Sequence, residues 1–321
     1  MSAVDFTSPI TQWDQTWSQQ FPVRLTRKQK DAFLHEIEQE LRARGLVTEH
    51  IQARHLLQNH NLVTVCEKPQ IIFTAHYDTP TIAPFWLSGL LNLLGHTRQI
   101  MAMVVLIGIL WLPLLLQILL PAYIPALNFL FNALYLLIFL SFISLFIPNP
   151  HNREDNTSGV IGLMALAEWL KDKPEMQQGV QLAFLDNEEW GLLGSNSLKQ
   201  VWTKKGHPYQ DALIINLDCI SRGRIPLLAY HKQSRVAEQL LPYLRQVMPQ
   251  TLCLDMKWLP LSDNFTFKEL GAVDISFVDP SIIPGGYVIR RIHAPSDNDF
   301  DPSHTALLIK ALISFINATA R

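Results

Sequence analysis

Charge is sparse in this chain, and its sparseness narrows the possible functions. Only 17% of the 321 residues are charged, the formal net charge is −2, and no basic run interrupts the sequence. This argues against a nucleic-acid partner, since nothing is present to neutralise a phosphate backbone. Cysteine is nearly missing: Cys66, Cys219 and Cys253 are odd in number and lack the paired spacing of thiolate zinc sites. A disulfide-stapled secreted scaffold is thereby excluded, and a reducing compartment is expected. With no internal repeat and no long low-complexity linker, the chain fits one ordinary α/β domain with an N-terminal extension.

One long stretch has no charge whatever. Between Arg98 and Arg153 there is no Asp, Glu, Lys or Arg, and the run contains IMAMVVLIGILWLPLLLQILL (100–120) and NFLFNALYLLIFLSFISLFI (128–147). Each segment has the roughly 20 residues that a bilayer crossing requires. Buried core helices rarely run so long without a polar face. A transmembrane helical hairpin, inserted over 85–149, is therefore expected, with Pro113 inside its first helix and Pro121 and Pro125 marking the turn. The opening MSAVDFTSPITQWDQTWSQQ is polar and has no apolar leader core. Arg98 and Arg153 flank the helices, and the short turn carries no cation. These features predict a multi-pass protein of the cell (inner) membrane that touches lipid through its hairpin while the rest of the chain faces the cytoplasm.

Against this background stand five short segments rich in acid and imidazole. IIFTAHYDTP, REDNTSGV, FLDNEEWGLLGS, IINLDC and RRIHAPSD carry His76 and Asp78, Asp155, Glu188 and Glu189, Asp218, and His293. Most of them place the polar group at the end of an apolar run of strand character, where α/β sheets build their sites. Imidazole nitrogen and carboxylate oxygen suit zinc. Two such ions roughly 3.5–4 Å apart can hold both the attacking and the developing oxygens of a displacement. Two histidines and three carboxylates give each of two metals three ligands if one carboxylate bridges. One of the adjacent glutamates then binds metal, while the other stays free to move a proton. Asp78, two residues after His76, is placed to hold the far nitrogen of that imidazole. Taken singly, these fragments read as a surface turn, a solvated helix face and a structural histidine; the ordered set, with the glycines and serine that follow Glu188 and Glu189, points to metal chemistry.

In order and content these motifs resemble the zinc exopeptidases of metallopeptidase family 28 (clan MH), from about Asn61 to the C-terminus with the insertion left out. The shared pieces are His-x-Asp after a strand, Asp-Asn-x-Ser-Gly opening a helix, Glu-Glu-x-Gly-Leu-x-Gly-Ser, Asn-x-Asp after a strand, Ser-Asp, and a late His with Asp four residues on. The resemblance implies a zinc-exopeptidase α/β/α sandwich and two Zn²⁺ per chain. Asp155 would bridge the metals, His76 and Asp218 would complete one site, Glu189 and His293 the other, and Glu188 would be the general base. It further implies attack by a metal-bridging hydroxide on a peptide carbonyl, with an aminopeptidase acting on short peptides as the leading reading. A carboxypeptidase, a deacylase, a glutaminyl-cyclase-like enzyme and a membrane interaction protein with a vestigial site remain as alternatives. Two departures from many relatives are Ser262-Asp263-Asn264 in place of Ser-Asp-His, and Ala294 in place of Thr after His293; neither removes a ligand, and the first bears on substrate choice. Cys219, next to Asp218, reads as a small buried hydrophobe.

Strands alternating with helices predict an α/β sandwich with a mixed, mostly parallel sheet. Residues 1–60 are expected to form the N-terminal extension, with an amphipathic helix over 27–44, and 61–84 with 150–321 the catalytic domain. Strands are expected over 61–66, 70–75, 180–185 and 212–217, and helices over 158–171, 191–202, 233–247 and from Pro302, where Asp301 offers an N-cap. The oligomeric state is left open.

Overall fold

In the computed structural model, residues 5–54, 56–119, 125–256 and 262–320 are described. The chain opens with α1 (Thr7–Gln20), α2 (Arg27–Ala43), β1 (Thr48–Arg54), β2 (Gln58–Thr64) and β3 (Ile71–His76). The insert follows as α3 (Phe85–Leu94), α4 (Gln99–Leu119) and α5 (Pro125–Ser141). Beyond it come α6 (Gly159–Leu170), α7 (Pro174–Gln177), β4 (Val180–Leu185), α8 (Leu193–Lys205), β5 (Leu213–Leu217) and β6 (Ile225–Tyr230). The chain closes with α9 (Arg235–Val247), β7 (Leu252–Asp255), β8 (Val273–Pro280), β9 (Tyr287–Val288) and α10 (Pro302–Thr319).

The sheet is mixed, with strand order β1-β2-β4-β3-β5-β8-β6-β7 and β9 paired to β8. Its centre is parallel, β3 lying between β4 and β5, and β5 running alongside β8. Every residue of β3, β4 and β5 is buried, as expected of strands covered on both faces. Their two-residue period divides the core. Ile71, Phe73 and Ala75 face a layer formed by α1, α2, α6, α9 and α10, while Ile72 and Ile214 face Leu198 and Trp202 of α8. The result is the α/β/α sandwich predicted from the sequence.

The first sixty residues contribute to that same core. A reciprocal cap between Thr26 and Gln29 starts α2, and β1 pairs antiparallel with β2 over its whole length. Trp17 and Phe33 meet edge to face with ring centroids 5.2 Å apart. Each such buried aromatic stabilises the fold by about 1.5–3 kcal/mol. Neither α1 nor β1 was foreseen from periodicity.

The insert leaves and re-enters the domain through one neck. Ile82 N–H donates to the Ile147 carbonyl at 3.0 Å, and Asn149 N–H donates to the Pro80 carbonyl at 3.1 Å. Within it α4 and α5 pack together, with Tyr135 Oη donating to the Leu110 carbonyl at 2.6 Å. Among the described residues only Phe129–Phe146 is long and apolar enough to cross a membrane, with mean hydropathy 2.3 and none of it buried; Met101–Leu116 is apolar but shorter. Leu120 and the turn expected at Pro121 lie outside the described residues, and Pro125 begins α5 rather than ending the turn. α3 is an additional helix that the apolar run concealed.

Candidate metal centre

The predicted site residues converge at the C-terminal ends of the central strands. His76 is the last residue of β3, Glu188 and Glu189 lie just beyond β4, and Asp218 directly follows β5. Parallel register sets Leu185 beside His76, so these ends are level. Asp155 occupies a wide turn, Arg153–Ser158, that leads into α6, and its peptide bond to Asn156 is cis. His293 lies between β9 and α10.

Two glycines make this convergence possible. A Cβ on Gly159 would overlap the Leu217 carbonyl oxygen, so only glycine lets α6 begin directly against the end of β5. Asn156 fixes that contact: its Nδ2 donates to the Leu217 carbonyl at 2.9 Å, and its Oδ1 accepts from Gly159 N at 2.9 Å and Cys219 N at 3.3 Å. Asp155 is thereby brought to Asp218. A Cβ on Gly194 would likewise overlap the Asp186 backbone, so α8 starts against the end of β4 and holds the turn carrying both glutamates. Four non-glycine residues at or near the candidate ligands, Asn187, Leu192, Cys219 and His293, have φ of 52°, 60°, 58° and 56°. Each such left-handed residue costs roughly 1–3 kcal/mol, a strain that gathers where side chains must be re-aimed.

The geometry centres on Asp155. Its Oδ1 lies 3.3 Å from His76 Nε2, and its Oδ2 lies 3.0 Å from His293 Nε2. Asp218 Oδ1 is 3.7 Å from His76 Nε2, and Glu189 Oε2 is 3.5 Å from His293 Nε2. Two groups result, His76/Asp155/Asp218 and Asp155/Glu189/His293, with the donor atoms of each within 4.8 Å of one another; Glu188 joins His76 and Glu189 in a third. Both nitrogens of His76 and Oε1 of Glu189 are buried without a hydrogen-bond partner. Leaving a buried polar group unpaired costs about 1–3 kcal/mol. A cation bound among these atoms would satisfy them, and their nitrogen and oxygen chemistry suits zinc.

The electrostatics agree with that fit. Burial alone would raise Asp155, but the imidazoles of His293 and His76 hold it well below the usual carboxylate range. His293, which burial alone would lower, is raised to about 10 by Glu189 and Asp155. Glu189 is raised to about 8 by burial, with His293 opposing and Asp155 adding to the shift. Burial also raises Glu188 well above its ordinary value, against His76 and with Glu189.

A buried outer ring surrounds the candidate ligands, and most of it escaped sequence reasoning. Asp78 Oδ1 faces His76 Nδ1 at 3.4 Å, and its carboxylate also accepts the backbone N–H of Glu188 at 3.1 Å and Glu189 at 3.3 Å. Asp297 accepts the N–H of Glu154 and Asp155 at 3.1 and 3.2 Å; the sequence marked it only as the acid four residues after His293. Glu154 accepts from Ser221 N–H, Arg222 N–H and Ser221 Oγ, tying the Asp155 turn to the loop after Asp218. Arg24 is fully buried and donates to the Tyr77 carbonyl and to Thr157 Oγ1. Asp263 and Asn264 are also buried, and burial raises Asp263 to about 7. The Cys219 thiol donates to Asp218 Oδ1 at 3.2 Å, and burial pushes its pKa well up, so it is a protonated, packed thiol.

A cavity of about 610 Å³ opens beside the candidate ligands. Glu188, Glu189 and His293 line one end, and Leu87, Leu91, Met103 and Leu106 of the insert line a wall.

Solved structures sharing this architecture come from several bacteria. A Zn-dependent exopeptidase from Parabacteroides distasonis matches with a TM-score of 0.66 and 14% identity over 100% of both chains. A leucine aminopeptidase precursor from Bacteroides thetaiotaomicron matches with a TM-score of 0.63 and 16% identity over 97% of this chain and 96% of its own. The glutaminyl cyclase of Bacteroides thetaiotaomicron gives a TM-score of 0.63 and 15% identity over 97% of each chain. Comparison with curated protein sequences gives no match. The fold is thus that of the zinc exopeptidases. Residues 153–312 match the model of peptidase family M28. This match and the shared fold support an M28-family, zinc-exopeptidase-like protein and a zinc metallopeptidase.

Proposed function

We propose that the chain is a two-zinc aminopeptidase acting on short peptides and held at a membrane by its α4–α5 hairpin. The observation that carries the reading is the orientation of Asp155, one oxygen toward each histidine. His76, Asp155 and Asp218 would hold one Zn²⁺, and Asp155, Glu189 and His293 the other. Bound there, the ions would polarise the scissile carbonyl and provide a nucleophilic water at neutral pH.

The remaining chemistry belongs to the chain itself. Glu188 is left over when both groups are filled, and it lines the cavity beside His76 and Glu189. It takes a proton from the attacking water and returns it to the departing amine, a task suited to a buried carboxyl whose proton affinity is raised. Asp78 holds His76 and the Glu188–Glu189 backbone, and Asp297 holds Asp155, so the reacting groups keep their places through turnover.

Membrane insertion is supported by the absence of charge from Gln99 to Asn152 and by the exposure of large apolar side chains such as Phe139 at 72% and Phe146 at 84%. The backbone bonds at the neck and the approach of His76 to Asp155 support a topology with both ends of the insert on one side of the bilayer. We assign that side to the cytoplasm on the basis of the flanking Arg98 and Arg153. Profiling the detergent-purified, zinc-loaded protein against peptides with free and blocked termini tests the reading. Cleavage confined to free amino termini is expected; preference for blocked amino termini would replace the aminopeptidase with a carboxypeptidase or deacylase, and ammonia release from amino-terminal glutamine without peptide cleavage would replace it with a cyclase.

A further inference from the structure

The insert is bonded to the catalytic domain far more closely than an anchor requires. Ile282 N–H donates to the Asn92 carbonyl at 3.1 Å, and Ile283 N–H donates to the Leu93 carbonyl at 2.9 Å. Tyr287 N–H donates to Thr97 Oγ1 at 3.0 Å, and the Arg98 guanidinium donates to the Pro284 carbonyl. Ala83 N–H, at the neck, donates to the carbonyl of His293 itself at 2.8 Å. The loop that delivers a predicted metal ligand is therefore built on the insert.

The space between insert and site has a definite chemistry. Its volume, about 610 Å³, falls within the roughly 300–1,000 Å³ of pockets that enclose a drug-sized ligand, larger than one side chain needs. Leu87 and Leu91 from α3, Met103 and Leu106 from α4, and Val288 and Ile292 from the opposite side make the walls apolar. His96, on the turn between α3 and α4, is a polar exception. Its Nδ1 accepts the Ile289 N–H at 3.2 Å, which leaves the ring proton on Nε2. That Nε2 is shut off from solvent and has no partner, on a residue that lines the cavity. A buried donor left unpaired is costly, and a turn of the ring into the cavity, where a substrate carbonyl can meet it, would relieve it.

We propose that α3, the His96 turn and the first turns of α4 form the substrate pocket, selecting peptides with two or three consecutive large apolar residues at the cleaved end and binding a backbone carbonyl through His96 Nε2. The inference rests on the peptidase reading of the metal centre. It adds the substrate class and makes His96 a substrate-binding residue supplied by the insert. Val104 and Ile107 turn outward on the same helix that lines the pocket, at 60% and 48% exposure. An apolar peptide lying at the bilayer surface thus reaches the site along α4.

The test uses the full chain in nanodiscs. With zinc loaded, kcat/KM for Leu-Leu-Phe-Ala should exceed that for Ala-Ala-Ala-Ala at least tenfold, and Leu106→Trp, which fills the pocket, should reduce that ratio about tenfold at equal zinc content. Leu130→Trp, on the exposed surface of α5, should leave the ratio unchanged. His96→Phe should lower kcat/KM for the apolar peptide about tenfold, and His96→Gln, which retains a donor, should recover most of it. Independently of turnover, a Leu-photoleucine-Leu peptide irradiated with the chelator-treated protein should label residues 87–106. A ratio insensitive to Leu106→Trp, or labelling elsewhere or nowhere, would overturn the pocket while leaving the peptidase reading intact. Labelling of 87–106 by a zinc-loaded chain that cleaves no peptide would keep the pocket and overturn the peptidase.

Discussion

Asp78→Asn perturbs the centre without removing a ligand. The Asp78 carboxylate is 1% exposed, faces His76 Nδ1 at 3.4 Å, and accepts the N–H groups of Glu188 and Glu189 at 3.1 and 3.3 Å. One buried charge therefore sets the aim of an imidazole and of the turn bearing both glutamates. A hydrogen bond to a charged acceptor contributes about 1.5–3 kcal/mol, against about 0.5–1.5 for a neutral one. Asparagine keeps one acceptor oxygen, so one amide retains a neutral bond, and the other amide faces an NH₂ group and loses its partner. The combined loss is about 2.5–4.5 kcal/mol, part of it appearing in zinc affinity and part in turnover. The expected outcome is a roughly 10–100-fold weaker zinc affinity at the His76 group, the range typical of outer partners of metal ligands. Competition titration of the metal-free protein against a chromophoric chelator measures the first effect, and kcat/KM with saturating zinc measures the second. Asp78→Ala should be worse than Asp78→Asn on both. Wild-type affinity and turnover in Asp78→Asn would refute the assigned role.

Glu188→Gln removes the proton carrier but not its volume, so turnover should fall by about 10²–10⁴-fold with metal content unchanged, while Glu189→Gln should lose metal; normal turnover in the Glu188 variant would reassign the pair. At neutral pH the metal-free protein holds protons on His293, raised to about 10, and on Glu189, raised to about 8. Zinc binding should therefore release about two protons from that group, and affinity should strengthen as pH rises and weaken as it falls. Calorimetry in buffers of different ionisation enthalpy counts the protons, and a count of zero would contradict the ligand set. Cysteines placed at Gln52 and Gln200 should react in intact cells only from the cytoplasm, and one at Tyr123 only from outside; outside labelling of the first two would reverse the topology.

The candidate centre could be picked out because the residues proposed as its ligands sit where strands end. An apolar run closed by His76 or Asp218 is visible without any knowledge of pairing, and the glycines after Asp155 and Glu189 mark the close helix starts that the backbone contacts at Gly159 and Gly194 require. The supporting residues were hidden for the opposite reason. Glu154 and Asp297 act on backbone groups 67 and 142 residues away in sequence, and nothing local distinguishes a buried acid from a solvated one. The segment over Thr7–Gln20 was passed over because its indoles, Trp13 and Trp17, stand among polar residues and read as a solvated extension. Uniformly apolar character foretold apolar helices in the insert, but the same uniformity left no period by which α3 could be separated from them or recognised as a wall of the cavity.

The most direct test of the two-metal centre is elemental analysis of the purified full chain after equilibration with zinc. About two equivalents are expected, with Asp155→Ala losing both, because its carboxylate faces both groups, and His76→Ala or His293→Ala losing mainly one. A wild-type chain that binds no zinc at saturation would contradict the centre outright, and one that never exceeds a single equivalent would turn the reading from a two-zinc aminopeptidase toward a one-metal cyclase.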